Sequence, residues 1–437
     1  MVTAALSIFV LLGFLGLAVD VGQMRVGQRN LQNAADAAAI AGASQILFPS
    51  NITTAANAGS SANGFTNGSN GVTVTVSHPP ADGPNAGNSN YVEVVVSQSQ
   101  TTFFMNALGV TSVPLSARAV AKGSSPNCIY ALQQGATSLD LGISSIQSSC
   151  GVIGDGNIGG FGGRLQAPSI GVAGANDCSG CSFTPNPTTG IAVAPDPLSS
   201  LPAPFLPSQA PTSASQCLAT PPTSGGVTTI PPGTYGAGGT GVTITGSMGV
   251  INFSGGTYVF CGGLNLQGAQ VIFGPGTYVM YGGGFQMAGS FAGTVNGTGV
   301  LIYNTGSGVA SGTCPPTCGY GPVTTWFTGG NYLAAPTSGT YAGILFFQDR
   351  ANPQSANFDA NFSFQACNGP NTNPYLQGIY YFPDATVNFR FDFGCGAQYS
   401  LLVANEVSWL FDFTFNNDYH TLPGGSSPIE NTGVLAE

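Results

Sequence analysis

The sequence predicts a mainly β chain of the α+β class. It should have a long N-terminal hydrophobic helix, a small β-sheet domain, and a Gly-rich body of the parallel β-helix or solenoid kind. Three observations carry this expectation. Residues 4–19 (AALSIFVLLGFLGLAV) are almost wholly apolar and lead into an Ala-rich stretch, which favours helix. The triplet Gly-Thr-Tyr begins at 233, 256 and 276 and returns at 339, at spacings that mark repeated structural units. The 65 glycines among 437 residues, with abundant Ser, Thr and Asn, punctuate short β-prone runs.

Charge is scarce. Asp, Glu, Lys and Arg make up 5% of the chain, against roughly 25% in ordinary soluble domains. The 17 acidic and 7 basic residues give a net charge of -10. No nucleic-acid partner is expected, because neutralising phosphates needs clustered Lys and Arg. With 43% hydrophobic residues the chain is no solvated disordered tail. Its composition is that of an exported structural protein.

From the first residue onward, the helix comes first. Leu6, Ile8, Leu11, Leu12, Leu15, Leu17 and Val19 form the apolar run, and Val21, Met24, Leu31, Ala35 and Ala38 continue it as a stripe. These are the candidate assembly residues. Arg25, Arg29, Asn33 and Asp36 occupy the other faces, and Pro49 bounds the element. A helix over 3–47 would be roughly 65 Å long at 1.5 Å per residue, about twice the hydrocarbon thickness of a bilayer. Only half of it can be covered by lipid. A basic leader before Met1, removed or upstream of the printed start, is expected, because Arg25 and Arg29 otherwise oppose export of the body.

A family resemblance emerges from these residues. Leu12–Gly22 (LGFLGLAVDVG) and Arg29–Ala43 (RNLQNAADAAAIAGA) resemble the N-terminal segment of TadE/TadG-like Flp (tight adherence) pilus-assembly proteins. Thr101–Phe104 and Val113–Ala121 resemble the region that follows in that family. The resemblance implies one N-terminal, pilin-like helix and an exported β-rich body, associated with a pilus or an inner membrane.

The remaining elements follow in order. Residues 1–48 form the helix, 49–122 a small pilin-like β domain, 123–224 a Cys/Pro/Gly-rich region and linker, and 225–437 the β-helix-like domain. Within the second, 50–70 reads as a loop, whereas 72–77 and 91–97 alternate as strands. Short β-prone runs follow at 138–141, 145–153 and 166–172, and 184–224 is Pro-rich and extended. In the body, coils would stack Val, Ile, Phe and Tyr inward with Gly at the corners; an antiparallel β-sandwich is the competing architecture. Strands are also expected at 344–347, 379–382, 401–404 and 409–415.

The cysteines number ten, at 128, 150, 178, 181, 217, 261, 314, 318, 367 and 395. In an exported chain they read as disulfides. Pairing of neighbours joins Cys128 to Cys150, Cys178 to Cys181, Cys217 to Cys261, Cys314 to Cys318, and Cys367 to Cys395. A four-thiolate zinc site from Cys178, Cys181, Cys314 and Cys318 is the alternative.

No catalysis, cofactor or metal is expected. Residues 197–348 contain no Asp, Glu, Lys, Arg or His, and no nucleotide-binding or nucleophile-elbow motif occurs. The C-terminal charges read as solvation and ion pairing, Arg390 with a nearby Asp among them. Three functions are weighed. The first is a structural subunit of an extracellular pilus-like filament, a homopolymer through its helix, at the cell surface after a stage in the inner membrane. The second is a membrane-anchored accessory protein of a tight-adherence pilus. The third, a carbohydrate-active β-helix enzyme, is opposed by the missing acid–base pair. The partners expected are copies of itself and surface glycans.

Overall fold

A computed structural model describes residues 2–46, 49–123, 127–220, 225–268, 270–288, 294–307, 314–315, 317–327, 331–360, 376–390, 397–410, 412–422, 427, 429 and 433–436, with side chains of the first helix from Gly13. The chain divides into two compact units, residues 1–125 with 430–437, and residues 126–429.

In the first unit, α1 spans Val2–Ala43 and α2 spans Pro49–Ala62. The strands β1 (Thr73–Ser77), β2 (Tyr91–Thr101) and β3 (Ser112–Gly123) form an antiparallel meander, and Gly433–Leu435 adds to β3 as a fourth strand. Alternation puts Val92, Val94, Val96, Ala117, Ala119 and Ala121 on one face. Leu31, Ala35, Ala38, Ala39 and Ala43 of α1 close that face together with Ile52 and Ala56 of α2. The loop expected over 50–70 is therefore replaced by a helix over its first part. Pro49 stands at the first helical position, where its missing N–H costs nothing. Ile52 and Ala56, one turn apart, are buried, so packing overrides a composition that favours loops. Gly59 is needed for this, since a Cβ there would lie 2.8 Å from the Ala37 carbonyl oxygen.

Among the described residues no helix is long and apolar enough to cross a membrane. The expected stage in the inner membrane gains no support from them: beyond Gly13, α1 is interrupted by Asp20, Arg25 and Arg29.

The second unit is built from large parallel sheets, which excludes the antiparallel sandwich. Each strand from Val227–Ile230 to Tyr332–Ala334 pairs with the third strand after it. Val227–Ile230 is followed in its sheet by Val250–Phe253, Gln270–Phe273, Val295–Thr298 and Tyr332–Ala334. The Gly-Thr-Tyr strands Gly233–Tyr235, Gly256–Cys261 and Gly276–Tyr281 lead to Val300–Thr305 and Ile344–Gln348. The third row runs from Val242–Thr245 through Leu264–Gln267, Phe285–Ala288 and Val323–Phe327 to Ala356–Ala360. One long strand, Leu376–Phe389, serves all three rows.

Equivalent side chains stack from layer to layer. Tyr258 lies on Tyr278 with ring centroids 5.0 Å apart, and Phe253 on Phe273 at 5.2 Å. These two stacked tyrosines keep their hydroxyls satisfied: Tyr258 donates to the Ile230 carbonyl and Tyr278 to the Gly274 carbonyl. The glycine of the triplet has a steric cause, because a Cβ on Gly276 would run into the backbone of Gly256 in the layer below.

Residues 127–189 join the same assembly out of sequence order. Leu376–Phe389 pairs with Ser400–Trp409, and Ser400–Trp409 pairs with Asn127–Ala131 and Thr137–Asp140. Gly151–Gly154, Ile170–Val172 and Thr188–Thr189 extend the stack further. The Pro-rich segment after Thr189 must return from that end to the Val227 end. It lies on the outer face of the Gly-Thr-Tyr row, where Leu198 and Phe205 are buried with Val279, Tyr303, Phe347 and Tyr381. Arg350 clamps it, donating from Nη2 to the Leu198 and Leu201 carbonyls and from Nε to the Tyr381 hydroxyl.

Among the described residues four disulfides form, Cys128–Cys150, Cys178–Cys181, Cys217–Cys261 and Cys314–Cys318. They take up the four thiols of the zinc alternative. Cys367 and Cys395 lie outside the described residues. Arg390 Nε stands 3.9 Å from Asp359 Oδ1.

Candidate assembly surface

The first unit carries one feature that its own core leaves unused. Asp20 is 2% exposed, on the face of α1 that meets the turn between β2 and β3. Its Oδ1 accepts the backbone N–H of Phe103 at 2.9 Å, and its Oδ2 accepts those of Phe104 at 3.0 Å and Met105 at 2.7 Å. These amides open the short 3-10 helix Met105–Leu108, whose first N–H groups have no partner within it. Burial works to raise the Asp20 pKa, but the three N–H donors outweigh it and hold the carboxyl below its ordinary value.

One turn before Asp20, Gly16 lets the turn approach: a Cβ there would lie 2.7 Å from the Phe104 ring. Gly27 admits Leu115 and Gln100 in the same way, at 3.1 and 3.3 Å. Gln28 Nε2 donates to the Ser116 carbonyl and Gln32 Nε2 to that of Arg118. One face of α1 is therefore fixed to the β2–β3 hairpin by glycine notches and by hydrogen bonds from its side chains to the hairpin backbone. Nearby, Glu93 accepts from Arg118 Nε at 3.0 Å and from the Ala81 and Asp82 amides. Burial raises the Glu93 pKa, and the bonds from Arg118, Asp82 and Ala81 bring it below the ordinary glutamate value.

The opposite face of α1 is open. Phe14 and Leu15 are each 67% exposed, and Leu17, Val19, Val21 and Val26 are exposed as well. A Cβ at Gly13 or Gly22 would meet nothing within 4 Å. The hairpin tip adds Phe103, Phe104, Val110 and Leu108, the last 84% exposed. Contiguous exposed apolar surface of this kind is typical of a binding face.

The candidate assembly residues thus separate by exposure. Leu15, Leu17, Val19 and Val21 are on the open face. Met24 is half-buried, whereas Leu31, Ala35 and Ala38 are buried inside the unit. Leu6, Ile8, Leu11 and Leu12 have side chains outside the described set. The sequence reading missed Gly16 and Asp20 as the docking pair and the hairpin tip as part of the apolar surface. The run Thr101–Phe104 was the available signal, since two adjacent Phe at a turn are rarely both buried. Among the described residues no three His, Cys, Asp or Glu side chains are grouped to hold a metal ion.

No curated protein and no solved structure matches the chain. Residues 1–45, the segment that contains α1 and its open face, are similar to the family model described as Flp pilus-assembly TadE/G-like, which supports a pilus-related role.

Proposed function

We propose that this protein is a structural subunit of an extracellular pilus-like filament at the cell surface. The leading half of α1 packs against the same helix of neighbouring copies, and the second unit is displayed outside in an adhesive role. We read that unit as a parallel β-helix; the three-strand period and the Gly-cornered layers support the reading. The carrying observation is the apolar face from Phe14 to Val21, exposed although the other half of the same helix is packed. Repeated contact through one patch with a non-matching patch on the next copy yields an open helical polymer. The reading assigns no catalysis, in keeping with the scarcity of ionisable residues in the body.

The test is to recover native material without detergent and image it, alongside Leu15→Asp and Leu17→Asp variants. Filaments are expected from the native chain and none from the variants, since an unpaired charge in a helix bundle is costly. Filaments that survive both substitutions overturn the proposal. Globular particles that require detergent for recovery favour the accessory, membrane-anchored role instead.

A further inference from the structure

A cavity of about 400 Å³ opens between the Pro-rich segment and the Gly-Thr-Tyr row of the second unit. That volume is within the range of small-molecule sites, roughly 300–1,000 Å³. Its walls are of two kinds. Tyr281, Tyr303 and Phe347 from three successive layers form an aromatic floor, and Phe205 closes it from the Pro-rich side. The rim is polar: Asp349, Arg350, Thr305 and Ser307.

The rim is held in place by its own bonds. Asp349 Oδ2 accepts from Thr305 Oγ1 at 2.7 Å and from the Tyr303 hydroxyl at 3.4 Å. Asp349 Oδ1 accepts the Ala351 N–H at 3.0 Å. The Arg350 guanidinium lies over the Phe347 and Tyr381 rings, 5.4 and 5.3 Å from their centroids, and its side chain is still about a third exposed. Asp196 fixes the far side, accepting from the Tyr381 hydroxyl at 2.6 Å.

We infer that this cavity binds a single neutral sugar residue. The Arg350 guanidinium has Asp196 4.0 Å from its Nε and Asp349 on the adjoining rim, so an anion is repelled by the two carboxylates and a cation by the guanidinium. A polyhydroxylated ring can use both, donating to Asp349 and accepting from Arg350, while hydroxyls of Thr305 and Ser307 serve either role. Its C–H face matches the aromatic floor. A purely apolar ligand would strip water from the rim without replacing those hydrogen bonds. The site is independent of the filament reading, because every residue named lies in the second unit.

The experiment is saturation-transfer NMR on the full chain with glucose, galactose, mannose and N-acetylglucosamine, and with glucuronate and glucosamine as charged comparators. At least one neutral sugar is expected to bind with millimolar affinity. Ala210→Trp, which fills the cavity from the Pro-rich segment, should abolish the signal. Asp349→Asn should weaken binding about tenfold or more. Thermal melts of both variants report whether the fold survives, and either variant alone suffices. Absence of any neutral-sugar signal at tens of millimolar, undiminished binding in folded Ala210→Trp, or preference for a charged sugar overturns the inference.

Discussion

At the scale of single residues, the decisive group is Asp20. It sits in the most apolar part of the first unit, yet its purpose is local: it satisfies three backbone amides that the turn after β2 cannot satisfy itself. Asp20→Ala should free the turn, so amide exchange at Phe103, Phe104 and Met105 is expected to accelerate while that in α2 stays unchanged. Unchanged exchange at those three amides would falsify the capping role. The sequence offered Asp20 as a charge that ended an apolar run. Its partner lies 83 to 85 residues away, and no periodicity within α1 points to it.

Elements show where local pattern suffices and where it does not. The strands β1 and β2 and several strands of the body were legible, because alternation and β-branched runs are local properties, but the strand expected over 409–415 is divided, Trp409 ending one strand and Phe413–Phe415 pairing elsewhere with Ser145–Ser148. The Gly-Thr-Tyr repeat announced one pair of layers, Thr257 and Tyr258 standing in register with Thr277 and Tyr278, whereas Gly233 faces Tyr258 and residues 339–341 form a turn. α2 was not legible, since its Asn, Ser, Thr and Gly residues favour a loop until Ile52 and Ala56 find α1. The layers impose a steric demand that can be tested. Gly276→Ala places a methyl against the Gly256 backbone and should cost about 1–3 kcal/mol by denaturant unfolding. Phe273→Ala, which leaves a hole in the stacked column, should cost about 3–5 kcal/mol. A smaller loss at both sites would mean that adjacent layers are free to shift apart.

For the molecule as a whole, the two units should answer acid differently. Asp20 and Glu93 have lowered pKa values, so the stability they confer is complete above the ordinary carboxylate range and is lost as pH falls through their lowered values. In the second unit burial raises Asp155, partly offset by the Ala194 amide, and raises Asp359, partly offset by Arg390. Their contribution is greatest below the ordinary aspartate value and is lost as pH rises through the raised ones. Calorimetry between pH 3 and 7 should show the transition of the first unit falling as the solution is acidified and that of the second holding or rising. Parallel shifts would refute this assignment. The second unit should also resist trypsin while oxidised: from residue 127 onward the basic residues are Arg164, Arg350 and Arg390, and Arg350 is held by the Pro-rich segment. Each disulfide restricts the unfolded chain, typically by about 2–4 kcal/mol. Digestion before and after reduction, with thiol alkylation read by mass, checks this; ten reactive thiols in the native protein would sink it.

The out-of-order layer has a consequence for how the chain comes to be folded. Asn127–Ala131 rests on Ser400–Trp409, with Ile129 opposite Leu402. During synthesis the strand made first waits for a neighbour made more than two hundred residues later. Asn127–Ala131 can pair with Gly151–Gly154 as soon as both are made, but its other edge stays open until nearly the whole chain exists. Such a delay slows folding, because long-range contacts come only after a large loop is closed.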